Sequence, residues 1–307
     1  MRLARWIGCG MATAMLMGCG NRYGSLNYAT PPGYAQPVRA ASPVAAVTLP
    51  SVDIGRPSAM TFDKVGNLMV ANAMGNSLMS VTSRGEAMEK ADNLPDPAAV
   101  TTSRSGAVYV ACHRDGSIVR VTTSDVKRVA LDLPSAKGLA VASDETLYVT
   151  LPATREIVEI KSDGTRRTIW HHATWIPEQL TMTAKDELFV SVRTGATGRL
   201  LQIDRNGRQL DQFNFEDPIT GLAANDQGRL LVAAASPDTD GILVGELGWL
   251  DRNGQWSIVA EDVVRPMAVT VYPGGNPVYV HYDEARHRYE IVSIVGNVAA
   301  PWLTSAS

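Results

Sequence analysis

Along the chain an apolar triplet recurs: Leu68-Met69-Val70, Val108-Tyr109-Val110, Leu147-Tyr148-Val149, Leu188-Phe189-Val190, Leu230-Leu231-Val232 and Val278-Tyr279-Val280, with first positions 40, 39, 41, 42 and 48 residues apart. Such spacing marks one array of repeats, so chain length alone would miscount the domains. Each copy has the same internal order. A proline (Pro57, Pro97, Pro134, Pro177, Pro218, Pro266) leads into a short apolar strand, a turn rich in Gly, Asn or Asp follows, and the triplet comes next. A third strand starts at Ser77, Ser117, Glu156, Arg199, Glu246 and Glu290. Behind it stands a two-residue turn signal: Arg84-Gly85, Ser124-Asp125, Asp163-Gly164, Asn206-Gly207, Asn253-Gly254 and Gly296-Asn297. Asp-Gly and Asn-Gly supply the positive φ that a tight hairpin needs. A more polar fourth strand completes each unit, and no segment carries helical periodicity.

Four short antiparallel strands, repeated six times, predict an all-β, six-bladed β-propeller of four-stranded antiparallel blades over residues 44–303. The triplets are apolar at successive positions because each blade packs face to face between two neighbours, which buries both sides of its inner strands. The ring must also close. The stretch VAAVTL at 44–49 lies upstream of the first blade, where an outer strand belongs, and is expected to pair into the last blade. The competing stretch, VAAPWL at 298–303, contains Pro301, which has no N–H to donate and suits an edge better.

The first residues read as an address. Arg2 and Arg5 precede an apolar run from Trp6 to Gly18, too short for a permanent membrane span and right for an export signal over 1–18. Leu16-Met17-Gly18-Cys19 resembles the lipobox of bacterial lipoproteins, which implies cleavage before Cys19 and acylation of its thiol. By the same resemblance Gly20, at the second mature position, implies sorting to the outer membrane of a Gram-negative cell. Several acyl chains suffice for stable anchoring. Residues 19–43, rich in Pro, Gly, Ser and Ala, read as a flexible tether. Of three cysteines, Cys9 leaves with the signal and Cys19 is the lipid site, so Cys112 remains and no intramolecular disulfide forms. Cys112 itself reads as a small buried apolar residue at the end of a strand.

Composition narrows the function classes. The 307 residues are 45% apolar and 19% charged, which excludes fibrous and disordered chains. The net charge of -3 becomes -5 once 1–18, with two Arg and no acid, are removed. That balance argues against nucleic acid as a partner.

The blade type is narrowed by what the repeats contain. No Trp-Asp dipeptide occurs, and Gly274-Gly275 is the one double glycine, so the WD-repeat and kelch patterns are unmatched. Residues 57–85, PSAMTFDKVGNLMVANAMGNSLMSVTSRG, resemble the NHL consensus, and the whole array resembles NHL-type and SMP-30/gluconolactonase-type six-bladed propellers. The latter resemblance implies a channel metal held by Glu, Asn and Asp. Here Lys137 stands at the Asn position, Leu151 at the Asp position and Arg56 at the Glu position, so that ligand set fails and no metal or other cofactor is expected. A streptogramin-lyase-like resemblance would instead use channel His and Glu groups as acid and base, with His113, Glu178 and His281 as weak catalytic candidates. Asp238-Thr239-Asp240-Gly241 lacks the further acids of a calcium loop, and His171-His172, neighbours beside Trp170 and Trp175, point to opposite faces and do not share a metal.

What remains is recognition. A propeller gathers loops from all blades on one mouth. The loop charges Arg56, Asp96, Lys137, Glu178, Asp217 and Arg265, with Asn72, His113, Arg155, Arg193, His281 and Asp283 after the triplets, line such a mouth or are ordinary polar loop residues. Mixed sign suits a protein surface or a polar small molecule. The sequence therefore points to a lipid-anchored envelope binding or scaffold protein, with a channel enzyme of the lactonase or lyase type as the alternative.

Overall fold

The computed structural model describes residues 36–38, 45–48, 53–273 and 275–295. These fall in one compact unit, Gly33–Ser307. The export signal, Cys19, most of the tether and the VAAPWL stretch lie outside the described residues. Among the described residues every regular element is a β-strand, and the strands form six sheets.

Blade one is β3 (Pro57–Phe62), β4 (Leu68–Asn72), β5 (Ser77–Val81) and β6 (Ala87–Ala91), and blade two is β7 (Pro97–Thr102), β8 (Val108–Cys112), β9 (Ser117–Val121) and β10 (Val126–Ala130). Blade three is β11 (Leu139–Val141), β12 (Leu147–Leu151), β13 (Glu156–Ile160) and β14 (Arg166–His171), and blade four is β15 (Ile176–Met182), β16 (Leu188–Thr194), β17 (Thr197–Ile203) and β18 (Gln209–Phe215). Blade five is β19 (Ile219–Ala224), β20 (Leu230–Pro237), β21 (Leu243–Leu250) and β22 (Gln255–Val264). Blade six has β23 (Val269–Val271), β24 (Pro277–Asp283) and β25 (Arg288–Val295), and its outer strand is β2 (Ala45–Thr48), antiparallel to β25 with Ala45 opposite Val295 and Thr48 opposite Val292. The upstream stretch thus closes the ring.

The six first strands neighbour one another in cyclic order, with β23 returning to β3. They surround the axis. We call the end where they start, beside the prolines, the upper mouth, and the end where they finish the lower mouth. The triplets form the second strands and are buried on both faces, since Val70, Val110, Val149, Val190, Val232 and Val278 have no exposed surface. The core is accordingly six layers, each shared by two adjacent blades. One layer joins Leu68 and Val70 of blade one to Val278 and Val280 of blade six, and another joins Tyr148 and Ile157 of blade three to Leu188 and Val190 of blade four. Each such aliphatic side chain contributes about 1.5–3 kcal/mol on burial.

Local chemistry sets the ends of the strands. The register of the first strand slips just after its proline, between Pro57 and Ala59, between Pro97 and Ala99 and between Pro177 and Leu180, so the strand bends where it reaches the upper mouth. Lower hairpins are nucleated by side-chain caps: Asp63 accepts the amides of Val65 and Asn67, and Asp204 those of Asn206 and Arg208. Gly207, at φ 84°, leaves room for the Ile169 carbonyl, into which a Cβ would press.

Inside the stretch read as a tether, Gln36–Val38 forms β1, which runs parallel to β22 and gives blade five a fifth strand. The ten-residue β22 presents a row of unpaired backbone groups at that edge, and a passing chain satisfies some of them.

Candidate functional site

At the upper mouth the loop charges meet across blade boundaries. Arg56 of blade one lies 3.6 Å from Asp96 of blade two. Glu178 of blade four accepts from Lys137 of blade three on one oxygen and from Arg193 Nε, at 3.0 Å, on the other. The Glu178 side chain is only 14% exposed, whereas Arg193 is 42% and Arg56 57% exposed, so the cations stand outermost.

The backbone holds this cluster in place. Thr150 Oγ1 accepts the Gly138 amide and donates to the Glu178 carbonyl, each at 2.6 Å, which ties blade three to blade four. A Cβ at Gly138 would press into that same carbonyl, so a glycine is required for the approach. Hydroxyls repeat this latch: Ser58 donates to the Pro97 carbonyl, and Thr220 to the Pro266 carbonyl at 2.7 Å. His113 Nδ1 lies 3.3 Å from the Ala136 carbonyl, so it donates from Nδ1 and joins blade two to the loop that carries Lys137.

The structure brings some of the expected residues together and separates others. His113, Lys137, Glu178 and Arg193 form one contiguous patch over blades two to four. His281 sits in blade six on β24, opposite Glu290, and makes no hydrogen bond or ion pair with Glu178 or His113. Asp283 accepts the amides of Ala285 and Arg286 and pairs with the Arg286 guanidinium at 2.6 Å. Arg265 stacks over the Tyr282 ring at 4.6 Å. Asn72 is a backbone organiser, since its Oδ1 accepts the amides of Arg56 and Gly75. Asp217 belongs to an acidic neighbourhood: burial first, and then the charges of Glu261, Asp217 and Glu216, push the Glu246 carboxyl up, against a hydrogen bond from Trp256.

Other candidates resolve into structural roles. Asp238 caps its own loop by accepting the amides of Asp240 and Ile242. His172 Nδ1 accepts the amides of Thr174 and Trp175, and its ring stacks 4.2 Å from Trp175 and 5.9 Å from Trp170. Arg199 also stacks on this group, its guanidinium 4.7 Å from the Trp175 ring. Cys112 is buried, and burial is the main cause that pushes its thiol up to about 11, well away from a reactive thiolate. Among the described residues no group of three His, Cys, Asp or Glu side chains is placed to hold a metal ion.

Between blades one and two a shallow upper pocket of about 380 Å³ is lined by Arg56, Ala73, Met74, Asn76, Asp96 and Arg114. A larger cavity, about 760 Å³, opens at the lower mouth. The ends of the first strands line it with hydroxyls (Thr61, Thr101, Thr181, Thr270) and apolar groups (Met60, Leu180, Met182), and it continues between blades five and six past Trp249, Ile258 and Ile294. The sequence reading missed this end altogether. Its one signal was the run of Thr and small residues at the ends of the first strands.

No family model matches the sequence, and no curated protein matches it. Solved structures do resemble it in shape. A streptogramin B lyase is 12% identical with a TM-score of 0.60, over 81% of this chain and 97% of the lyase. A gluconolactonase from Xanthomonas campestris is 12% identical with a TM-score of 0.63, over 79% of this chain and 88% of that one. A chain of a nidogen/laminin complex is 17% identical with a TM-score of 0.57, over 75% and 90%. At such identities the likeness is one of fold, and the chain is a six-bladed propeller built like these proteins.

Proposed function

We propose that the protein is a cell-envelope binding or scaffold module, held to a membrane through an acylated Cys19, whose upper mouth recognises a protein surface or a polar, zwitterionic ligand. The observation that carries this reading is the Lys137–Glu178–Arg193 cluster. Both carboxylate oxygens are engaged by cations, the blades on either side are latched, and the exposed faces left to solvent are positively charged groups beside the acids Asp96 and Glu178. Such an arrangement is pre-organised to read charge pattern, since its groups lose little freedom when a partner docks. Charge reversal at Arg56, Lys137 and Glu178 together is expected to abolish retention of the envelope partner by the lipidated protein, with the melting profile showing a folded ring. Full retention by that variant would end the proposal. The anchor is tested separately: Cys19→Ser is expected to lose palmitate labelling and to move the protein from the membrane to the soluble fraction.

A second reading is a channel enzyme, favoured by the shape shared with a lyase and a gluconolactonase and by the presence of His113, Glu178 and His281 around the upper mouth. It requires Glu178 to leave its two cations before acting as a base. Turnover of a lactone or a streptogramin that falls at least about 100-fold in both Glu178→Ala and His281→Ala would establish it over the binding reading.

A further inference from the structure

We infer that the lower cavity is a binding site for an amphiphilic organic anion, a molecule with an acyl or aryl body and one acidic group. The inference does not rest on the reading of the upper mouth. At about 760 Å³ the cavity has the size of a small-molecule site. The ends of the first strands give it hydroxyls and apolar groups but no charge. It departs from the sixfold pattern at one place, the slot between blades five and six, where Trp249, Ile258 and Ile294 supply an apolar wall.

Charge enters at the rim of that slot. The half-buried Arg229 guanidinium stacks over the Trp249 ring at 4.8 Å, and among the described residues no carboxylate lies within ion-pair distance of it. Several other arginines of the same face are paired, Arg205 with Asp144 at 2.6 Å, Arg252 with Glu187 at 3.0 Å and Arg167 with Glu159 at 3.0 Å, while Arg104 and Arg166 donate to the backbone carbonyls of Ala184 and Leu131. Asp226, also on the rim, is exposed and makes no ion pair with Arg229. A guanidinium stacked on an aromatic ring still presents a planar donor fork, which takes a carboxylate in two parallel hydrogen bonds.

The test uses two fluorescent probes with the same ring system, anilinonaphthalene sulfonate and phenylnaphthylamine, which lacks the sulfonate. The purified protein is expected to bind one sulfonate probe per chain, at least about 10-fold more tightly than the neutral probe, the discrimination a charge-assisted hydrogen bond provides. Arg229→Gln is expected to bring the sulfonate down to the affinity of the neutral probe while leaving the latter unchanged. Ala224→Trp, which fills the lower mouth, is expected to remove both, and Met88→Gln on the outer surface neither. Equal affinity for the two probes, an undiminished difference in Arg229→Gln, or loss of binding in Met88→Gln would overturn the inference.

Discussion

At the upper mouth acids and bases meet across blade boundaries, as Arg56 meets Asp96 and Glu178 meets Lys137 and Arg193, whereas at the lower mouth the first strands end in hydroxyls and apolar groups around a cavity whose charged groups, Asp226 and Arg229, sit at its rim. The lower face is knit by Tyr148, whose hydroxyl accepts from Arg205 Nε at 2.7 Å and donates to Glu159 at 3.3 Å, and by the Arg205–Asp144 pair. One ring therefore has an end crowded with paired charges and an end whose largely apolar cavity carries the Arg229 cation at its rim.

The contrast can be broken most severely from below. Gly207→Ala places a Cβ against the Ile169 carbonyl at a positive φ, and is expected to cost roughly 2–4 kcal/mol, read as a lowered denaturation midpoint. Tyr148→Phe removes the hydroxyl shared by Arg205 and Glu159 and is expected to cost about 1–2 kcal/mol in the same measurement. Above, the exposed cations hold the fold less tightly. Lys137→Met is expected to shift Tm by less than about 2 °C while weakening partner retention, and a larger shift would make that cluster structural.

Two smaller effects sharpen the comparison through pH. Burial works to raise the Asp144 carboxyl, but hydrogen bonds from Arg205 and Thr146 outweigh it and hold the group down at about 2. A depressed carboxylate stabilises the fold above its unfolded pKa of about 4 and loses that contribution as pH falls, so Tm should drop between pH about 4 and about 2, and Arg205→Ala should flatten that limb. Glu246 has the opposite sign. Its raised pKa favours the protonated form in the fold, so the charged group is a cost at neutral pH, and Glu246→Gln, which keeps the bond from Trp256, should raise Tm at pH about 7 by about 1–2 °C and leave it unchanged below about pH 4.

Much of the fold was legible because each blade states its grammar locally. The triplets are the second strands, Gly85, Gly164, Gly207 and Gly254 take the positive φ their turn signals promised, and residues 45–48 of the upstream stretch close the ring. The strand at Gln36–Val38 was not legible, since what creates it is the open edge of β22 and not any apolar period of its own. The sites were harder for the same reason. Residues about 40 positions apart, such as Lys137 and Glu178, become partners only through the turn of the ring, and the sequence gives no sign of which loop charges will pair. The lower cavity arises from side-chain sizes on six separate strands, while His172 is taken out of consideration as a ligand by backbone amides that no motif announces.

The pairing of β2 with β25 makes the seam of the wheel a join between the first-made and last-made parts of its body. During synthesis five blades can stack in order, but residues 45–48 wait for a partner almost 250 positions later, so the circle shuts as a final step. Because that join is a backbone pairing and not a covalent link, the covalent break could be moved to another boundary between blades, and a circular permutant cut there would build the same wheel with a different seam.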